Sequence, residues 1–353
     1  MVLCGGAGTR FWPASRRRSP KPFVPLLGRE TLLQTTMDRL RGLVPARNCW
    51  VVSGRELASV TRQALRRYRG VHVLLEPMAR NTAAAIAWAA ATVAGQDPEA
   101  VVGVFPADHH IPEPARFLRT IRTAARAAAS GESLVLVGIE PSHPDTAYGY
   151  LRVDSPGSRG AVRVRRFVEK PDLARARRFA KSGRYLWNAG IVVGTARRIL
   201  AETRAHSPEV WPALGGVLET LAAGRRVPAA RLASAFRRVT PISFDHAVLE
   251  RSRHVLAVRG RFRWSDLGSW DALGDHLPAH SGNRVRGTRP AALLDASGNV
   301  IWNTTGKALA LLGVENLVIV ETQDALLVCS KERAQDVRRI VDELTRQRRT
   351  NLT

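Results

Sequence analysis

Short apolar runs alternate with amphipathic stretches along the first part of the chain. The runs are brief, rich in β-branched residues and free of polar alternation, which is typical of buried strands in a parallel sheet. Between them, apolar positions recur at helical spacing. We therefore predict strands over 1–4, 49–52, 71–75, 101–105 and 134–139, and helices over 32–40, 56–67, 82–94 and 115–129.

This alternation of strand and helix predicts an α/β fold with a Rossmann-like, doubly wound mixed sheet. The helix over 82–94 is apolar on nearly every side, so we expect it to be buried. The first strand has only residues 1–4 available, although central strands commonly have about five or six residues. Either this strand is clipped or the natural start lies upstream. In such sheets, ligands bind beyond the carboxyl ends of the strands.

The pattern changes near residue 280. Residues 280–283 (His-Ser-Gly-Asn) have the composition of a linker, and a last helix is predicted from about Glu332. We therefore predict a larger domain over 1–280 and a small domain over 283–353. In the small domain, short apolar pieces separated by Gly, Asn and Asp predict strands over 291–294, 300–302, 308–312, 317–320 and 325–329.

The chain is strongly basic, with 54 Lys and Arg against 30 Asp and Glu, for a net charge of +24. The arginines are spread over the whole chain, and no zinc-finger, helix-turn-helix or aromatic-interleaved signature accompanies them. We therefore expect no specific nucleic-acid partner. A positive field of this kind still steers anionic substrates towards the protein.

Composition also limits the cellular location. No apolar run approaches the roughly 18 to 20 residues of a membrane span, and residues 1–4 are too few for a signal peptide. The cysteines Cys4, Cys49 and Cys329 match no zinc spacing. We therefore expect a cytoplasmic protein with reduced thiols and no membrane partner.

A glycine-rich segment follows the first predicted strand. Gly5, Gly6 and Gly8 lead directly to Thr9 and Arg10. Glycine lets backbone N–H groups approach a ligand closely, and such a turn after a strand forms an anion cradle. No Gly-Lys-Ser/Thr of a P-loop follows, and only two of the three glycines of a dinucleotide fingerprint can be placed. Alone, the glycines could equally form a surface turn beside a basic patch.

Several segments together resemble a known family. Residues 5–13, followed by 20–23, resemble the signature of the sugar-1-phosphate nucleotidylyltransferases. The pairs Trp12-Pro13 and Ser15-Arg16 are similar to the mannose-1-phosphate guanylyltransferase branch. Further segments, in the family's order, lie at 76–82, 106–109, 148–150, 167–171, 187–190, 243–250 and 264–270. Within the signature, Pro22 stands where the family usually has glutamine.

The resemblance implies roles for residues of the nucleotide site. Arg10, Lys21 and Asp108 would be the catalytic residues, because charge stabilisation and positioning dominate phosphate transfer. The nucleotide would be bound by Gly5, Gly6, Gly8, Thr9 and Arg10 at its phosphates, and by the segment with Glu76, Arg80, Asn81 and Thr82 at its base. In any protein, however, Asn81 or Thr82 would serve as a helix N-cap.

The resemblance also implies a metal ion. Asp108 follows the predicted strand over 101–105, so its carboxylate points into the ligand crevice. Mg²⁺ prefers one or two carboxylates plus substrate phosphates. The pairing of Asp108 with Asp266 around Mg²⁺ rests on the family alone, and either residue could be a turn or cap aspartate. We interpret His109 and His110 as structural or loop residues.

On the sugar side, the resemblance implies that Gly149, Glu169, Lys170, Asn188 and Asp245 bind the sugar phosphate. Gly149 would let a hexose ring pass close, Glu169 would accept from sugar hydroxyls, and Lys170 would meet the phosphate. Asn188 can both donate and accept. An N-cap role is an equal alternative for Asp245.

The expected reaction is transfer of GMP from GTP to mannose 1-phosphate, giving GDP-mannose and pyrophosphate. The resemblance further implies a short left-handed β-helix at the C-terminus, and its apolar edges suggest a homodimer. The alternatives are a related enzyme with another sugar or base, or a catalytically silent regulatory subunit that binds a nucleotide sugar. A basic nucleic-acid binder is a third alternative.

Overall fold

The computed structural model describes residues 1–6, 8–155 and 160–353. Strands and helices alternate in the first part, as predicted. The helix predicted over 56–67 is shorter, because Arg55–Leu57 form a 3₁₀ turn before it. The elements are β1 (Val2–Cys4), α1 (Leu32–Leu40), β2 (Trp50–Gly54), α2 (Ala58–Leu65), β3 (His72–Glu76), α3 (Asn81–Ala94), β4 (Val101–Pro106), α4 (Pro114–Ala128) and β5 (Leu134–Ile139).

The middle of the chain adds elements that hydrophobic patterning did not predict. Among them is β8 (Tyr185–Thr195), an 11-residue strand that carries the segment 187–190. The elements are β6 (Tyr150–Val153), β7 (Ala161–Val168), α5 (Leu173–Lys181), β8 (Tyr185–Thr195), α6 (Ala196–His206), α7 (Trp211–Ala222), α8 (Ala229–Arg238), β9 (Val255–Arg259) and α9 (Trp270–Gly274).

These strands form one mixed sheet in the order β3-β2-β1-β4-β8-β5-β9-β7-β6. β1 pairs in parallel with β2 and β4, whereas β8 runs antiparallel to both β4 and β5. The predicted doubly wound mixed sheet is therefore confirmed. The strand order reverses at β1, because β2 and β3 lie on one side of it and β4 on the other. Such a switch point leaves a crevice beyond the carboxyl ends of β1 and β4.

Helices cover both faces of the sheet. Successive residues of β5 alternate between two hydrophobic cores: Leu134 and Leu136 pack in one core, and Val135 and Val137 in the other. This alternation follows from the two-residue period of a strand. Helix α3 is buried along nearly its whole length, as predicted. Among the described residues, no helix has the length and apolarity needed to cross a membrane.

The C-terminal unit is built from parallel coils. β11 (Asn283–Gly287) pairs in parallel with β13 (Val300–Asn303), and β13 with β15 (Leu317–Glu321), while β12 (Ala292–Leu294) pairs in parallel with β14 (Ala310–Leu312). Val285, Ile301 and Ile319 occupy matching positions on successive coils and form a small core. The elements are β10 (Ala279–His280), β11 (Asn283–Gly287), β12 (Ala292–Leu294), β13 (Val300–Asn303), β14 (Ala310–Leu312), β15 (Leu317–Glu321), β16 (Leu326–Ser330) and α10 (Arg338–Arg346).

Two expectations for this unit need correction. Residues 280–283 are a tight hairpin between β10 and β11 rather than a loose linker, because Ser281 (φ 46°) and Gly282 (φ 74°) take the left-handed conformations that a two-residue turn requires. The final helix begins later than Glu332, because Lys331–Val337 form a 3₁₀ segment.

The C-terminal unit shares a hydrophobic core with the glycine-rich segment. Phe11 and Trp12 pack in one core with Trp270, Trp302 and Val337. The indole N–H of Trp270 donates to the carbonyl oxygen of Trp12 at 3.0 Å, and that of Trp302 donates to Leu26 at 3.3 Å. The end of the chain also takes part, since Trp12 donates to the carbonyl oxygen of Leu352 at 2.8 Å.

Candidate active site

Two adjoining cavities open beyond the carboxyl ends of β1 and β4. The Lys21 cavity, of about 340 Å³, is lined by Thr9, Arg10, Lys21 and Asp266 among others. The Glu76 cavity, of about 560 Å³, is lined by Gly5, Gly6, Glu76, Asn81, Thr82 and Asp245 among others. Asp108 and His109 line both cavities, so the two spaces meet at the end of β4.

The glycine-rich segment lies between the two cavities. Gly5 and Gly6 line the Glu76 cavity, whereas Gly8 lines the Lys21 cavity; Ala7 lies outside the described residues. Gly6 has φ 96° and no atom within 4 Å of the position of a Cβ, so its backbone is open to a ligand. At Gly8, with φ 58°, a Cβ would lie 2.6 Å from Cβ of Lys21. Glycine is therefore required there for close packing against Lys21.

Lys21 joins the two aspartates implied by the resemblance. Its buried ammonium group lies 2.8 Å from Oδ2 of Asp108 and donates to the main-chain carbonyl oxygen of Asp266 at 2.6 Å. Burial opposes ionisation of Asp108, but the charge of Lys21 and the hydrogen bond that Lys21 donates outweigh it, so the pKa of Asp108 is lowered. The carboxylate therefore stays ionised at neutral pH.

An isolated antiparallel bridge brings the two aspartates together. The backbone N–H of His110 donates to the carbonyl oxygen of Ser265 at 2.9 Å, and Ser265 returns the bond at 3.1 Å. Asp108 lies just before one end of this bridge and Asp266 just after the other. The phenol of Tyr148 then donates to Oδ1 of Asp266 at 3.0 Å. Burial and the charge of Asp266 raise the pKa of Tyr148, so the phenol keeps its proton.

His109 lies at the wall shared by the cavities, although the sequence suggested only a structural or loop role. The indole N–H of Trp264 donates to its Nδ1 at 3.1 Å. An indole N–H can only donate, so Nδ1 is the acceptor and a neutral ring carries its proton on Nε2. Burial lowers the pKa of His109, which favours this neutral form. Neither His109 nor Tyr148 carries a spacing signal by which the sequence identifies these contacts.

Glu76 ends β3, lines its cavity and carries an unpartnered oxygen. Its Oε1 is buried and has no hydrogen-bond partner among the described residues. Burial, helped by the charge of Glu56, raises the pKa of Glu76 to about 7. A buried acceptor without a donor is costly, so such a group often marks a ligand position.

Of the residues after Glu76 that the resemblance implies for the base, two line its cavity and one contacts the end of α8. Asn81 and Thr82 line the Glu76 cavity. Neither is the N-cap of α3, which is Arg80 without a side-chain cap bond. The Thr82 hydroxyl accepts from the backbone N–H of Phe244 at 2.9 Å. Arg80 instead donates to the carbonyl oxygens of Phe236 (2.9 Å) and Arg237 (3.1 Å) at the end of α8.

Four of the five residues implied for sugar binding form one cluster. Asn188, on β8, donates from Nδ2 to Oδ1 of Asp245 at 2.9 Å, and its backbone N–H donates to Gly149 at 2.8 Å. A Cβ on Gly149 would lie 2.6 Å from Oε2 of Glu169. The space beside Gly149 is therefore filled by the Glu169 carboxylate rather than left open for a sugar ring.

Asp245 begins a single π-helical turn, Asp245–Leu249, rather than capping a helix. Burial, followed by the charge of Glu169, raises its pKa to about 6. Glu169 is buried, whereas Lys170 is largely exposed and pairs with it at 2.8 Å. Lys170 lies at the edge of the cluster as a solvated partner of Glu169.

The donor set suits a magnesium ion that also binds phosphate. Asp108 and Asp266 supply hard carboxylate oxygens on the wall of one cavity. Among the described residues there is no group of three or more His, Cys, Asp or Glu side chains that would hold a metal alone. Mg²⁺ is commonly held by one or two carboxylates with substrate phosphates completing its coordination.

Comparison with known proteins identifies the family of the chain. The nucleotidyl transferase family matches residues 1–280, and the mannose-phosphate isomerase/GMP-like β-helix domain matches residues 291–344. The chain belongs to the nucleotidyl transferase family. The resemblance seen in the sequence is thereby confirmed, and the protein is a nucleotidyltransferase.

Individual relatives match this nucleotidyltransferase over nearly its whole length. It is 35% identical to the alginate biosynthesis protein AlgA of Pseudomonas aeruginosa over 359 residues, which cover 99% of the chain and 73% of the relative. It is 37% identical to a mannose-1-phosphate guanylyltransferase of Escherichia coli, with 99% and 74% covered. A crystal structure titled mannose-1-phosphate geranyltransferase, from Thermus thermophilus, matches with TM-score 0.87 and 34% identity, covering 98% of both chains.

Proposed function

We propose that this nucleotidyltransferase transfers GMP from GTP to α-D-mannose 1-phosphate, giving GDP-mannose and pyrophosphate. The observation that carries the proposal is the contact of Lys21 with both Asp108 and Asp266 where two cavities meet. A nucleotide that spans this border has its phosphates beside Lys21 and its base beside Glu76. Relatives of the chain carry the name mannose-1-phosphate guanylyltransferase.

The Lys21 cavity suits the β- and γ-phosphates. Thr9 and Arg10 form a 3₁₀ turn that follows Gly8, so backbone N–H groups and a guanidinium lie on one wall. Among the described residues, the guanidinium of Arg10 has one weak hydrogen bond, to the carbonyl oxygen of Gly268 at 3.4 Å, and it remains available for a phosphate. Planar guanidinium groups bind phosphate oxygens in pairs.

The Glu76 cavity suits guanine. Guanine presents two neighbouring donors, N1–H and N2–H, and the unpartnered Oε1 of Glu76 is an acceptor in need of a donor. Adenine has no such pair of donors on that edge. Ionisation of Glu76 strengthens the acceptor, so this contact selects the base.

The sugar phosphate would enter from the side of Asp245, which lines the Glu76 cavity. Asn188 holds Asp245 by one amide hydrogen, and Glu169 lies close to both. Carboxylate and amide oxygens accept from sugar hydroxyls, while Lys170 lies near the edge, where an anionic phosphate enters.

The chemistry needs no covalent intermediate. A phosphate oxygen of mannose 1-phosphate attacks the α-phosphorus of GTP, and the bond to the β-phosphate oxygen breaks as pyrophosphate leaves. Lys21 and Arg10 neutralise the charge that builds on the leaving group. His109, with its proton on Nε2, can donate to an α-phosphate oxygen at the border of the cavities. A magnesium ion held by Asp108 and Asp266 would polarise the phosphates and screen their charge.

The test is release of pyrophosphate by purified protein with GTP, mannose 1-phosphate and Mg²⁺, and detection of GDP-mannose. Parallel reactions replace GTP by ATP, UTP or dTTP, and mannose 1-phosphate by glucose 1-phosphate or heptose 1-phosphate. Highest kcat/KM with another pair would assign a different sugar or base. If no pair of nucleotide and sugar phosphate gives product while a control enzyme is active, a regulatory subunit would be favoured instead. Asp108→Ala must lose activity, because the proposal depends on its carboxylate.

A further inference from the structure

One residue of the C-terminal unit reaches the Lys21 cavity. Arg338, the first residue of α10, lines this cavity, whereas the other described lining residues lie between Gly8 and Gly268. The C-terminal coils and helix therefore do more than cover the larger domain. They place one cation beside the loop that carries Arg10.

The position of Arg338 is fixed by packing. It directly follows Val337, which is buried with Ala334 in the core that contains Phe11 and Trp12. The side chain of Arg10 projects from the same short turn as Phe11. A shared core thus holds both arginines at one cavity, although they are far apart in the sequence.

The charges of the cavity leave Arg338 available for an anion. Lys21 is already matched by Asp108. The acidic neighbour of Arg338, Asp336, is engaged by Arg333 at 2.5 Å. Among the described residues, Arg338 has no ion pair and its side chain is exposed. An arginine without an ion pair on the wall of such a cavity is suited to bind phosphate in a bidentate manner.

We propose that Arg338 binds the β- and γ-phosphates of the nucleotide and the pyrophosphate product, so that the C-terminal unit completes the substrate site. This inference rests on the proposed nucleotidyl transfer. Arg338 and Arg10 would hold the departing pyrophosphate in the cavity that Lys21 also lines. The inference also gives the C-terminal unit a direct part in the reaction.

Calorimetric titration with pyrophosphate and Mg²⁺ tests this without catalysis. Arg338→Ala should weaken pyrophosphate binding about tenfold, the usual effect of losing a charge-assisted contact at an exposed site. Arg338→Lys should restore part of the pyrophosphate binding, because the ammonium group returns the positive charge without the paired donors of a guanidinium. Arg339→Ala is the matched control, since Arg339 is exposed, carries the same charge and lines a different hollow of α10.

Steady-state kinetics provide a second measurement. Arg338→Ala should raise the KM for GTP about tenfold and leave the KM for mannose 1-phosphate unchanged, whereas Arg339→Ala should change neither. The inference is overturned if Arg338→Ala binds pyrophosphate as tightly as Arg339→Ala, or if the unaltered protein binds none. If pyrophosphate binding depends on Arg338 but no GDP-mannose forms, the proposed function fails and this contact stands.

Discussion

Lys21 and Asp108 form an ion pair, with 2.8 Å between Nζ and Oδ2, although 87 positions separate them in the chain. Asp108 follows the central strand β4, and Lys21 lies in the loop that follows β1. The parallel pairing of β1 with β4 places both residues beyond the same end of the sheet. The parallel pairing at the topological switch therefore brings the two residues together, and in the proposed reaction the pair lies beside the phosphates.

Lys21→Met should lower kcat by about 100- to 1,000-fold, because it removes one preorganised charge from the site. It also leaves the Asp108 carboxylate without its partner, so the pKa of Asp108 should rise. Lys181→Met is the matched control, since Lys181 is exposed on α5. Equal kcat values for the two variants would contradict a role for Lys21 in the reaction. Thermal unfolding of both variants would show whether the loss of kcat reflects misfolding.

Glu76→Gln should weaken GTP binding and remove part of its pH dependence. The pKa of Glu76 is raised to about 7, so its carboxylate becomes a better acceptor as pH rises from 6 to 8. GTP affinity of the unaltered protein should therefore rise over this range. The triphosphate titrates in both proteins, so the difference between their KM curves isolates Glu76. Parallel curves would rule out an ionised Glu76 at the base.

The same substitution should stabilise the protein at high pH. Glu76 takes up its proton more readily in the folded state, so stability of the unaltered protein falls as pH rises from about 4.5 to about 7 and then levels off. The Glu76→Gln variant should not show this fall in stability, because glutamine does not ionise. It should be more stable at pH 8, by on the order of 2 kcal/mol, and nearly equal at pH 5. Urea unfolding at the two pH values measures the difference.

Gly149→Ala should impair the sugar side alone. The new methyl group would lie 2.6 Å from Oε2 of Glu169 and 3.0 Å from Cζ of Phe167, so the Glu169 carboxylate must leave its present position. We expect the KM for mannose 1-phosphate to rise about tenfold, equivalent to about 1.4 kcal/mol. The KM for GTP should stay constant. Gly28→Ala is the control, since its Cβ would meet no atom within 4 Å.

Local signals made much of this site predictable. The glycine turn after β1 and the aspartate after β4 follow from strand ends and from the chemistry of short polar motifs. The same signals could not place Asp108 and Asp266 on one cavity, because that arrangement depends on a bridge between His110 and Ser265. Contacts of this kind appear only when distant loops are folded against each other.

Two further features escaped the pattern of hydrophobic residues. β8 is antiparallel, and its register shifts beside Asn188, so the segment that carries this residue lacked the signature of a parallel strand. Arg338 belongs to a helix rich in arginine, where no residue is distinguished by its neighbours. Its importance comes from the core beneath Val337, which brings only this position to the cavity among the described residues of α10.

That core leads to a last prediction, for Trp270→Phe. Trp270 is fully buried, contacts the rings of Phe11 (5.0 Å) and Trp302 (5.6 Å), and donates to the carbonyl oxygen of Trp12. The substitution removes this donor and leaves a void. It should lower the free energy of unfolding by about 2–4 kcal/mol.

The substitution should also affect substrate binding, which a core that only stabilises the fold would not do. Because Phe11 neighbours Arg10 and Val337 neighbours Arg338, loosening the core should also raise the KM for GTP, at a temperature where the variant remains folded. Trp50→Phe provides the control, since Trp50 begins β2 and stacks on His72 away from both cavities. It should lower stability less and leave the KM for GTP unchanged. An unchanged KM in Trp270→Phe would show that the loop that carries Arg10 keeps its shape when this core is loosened.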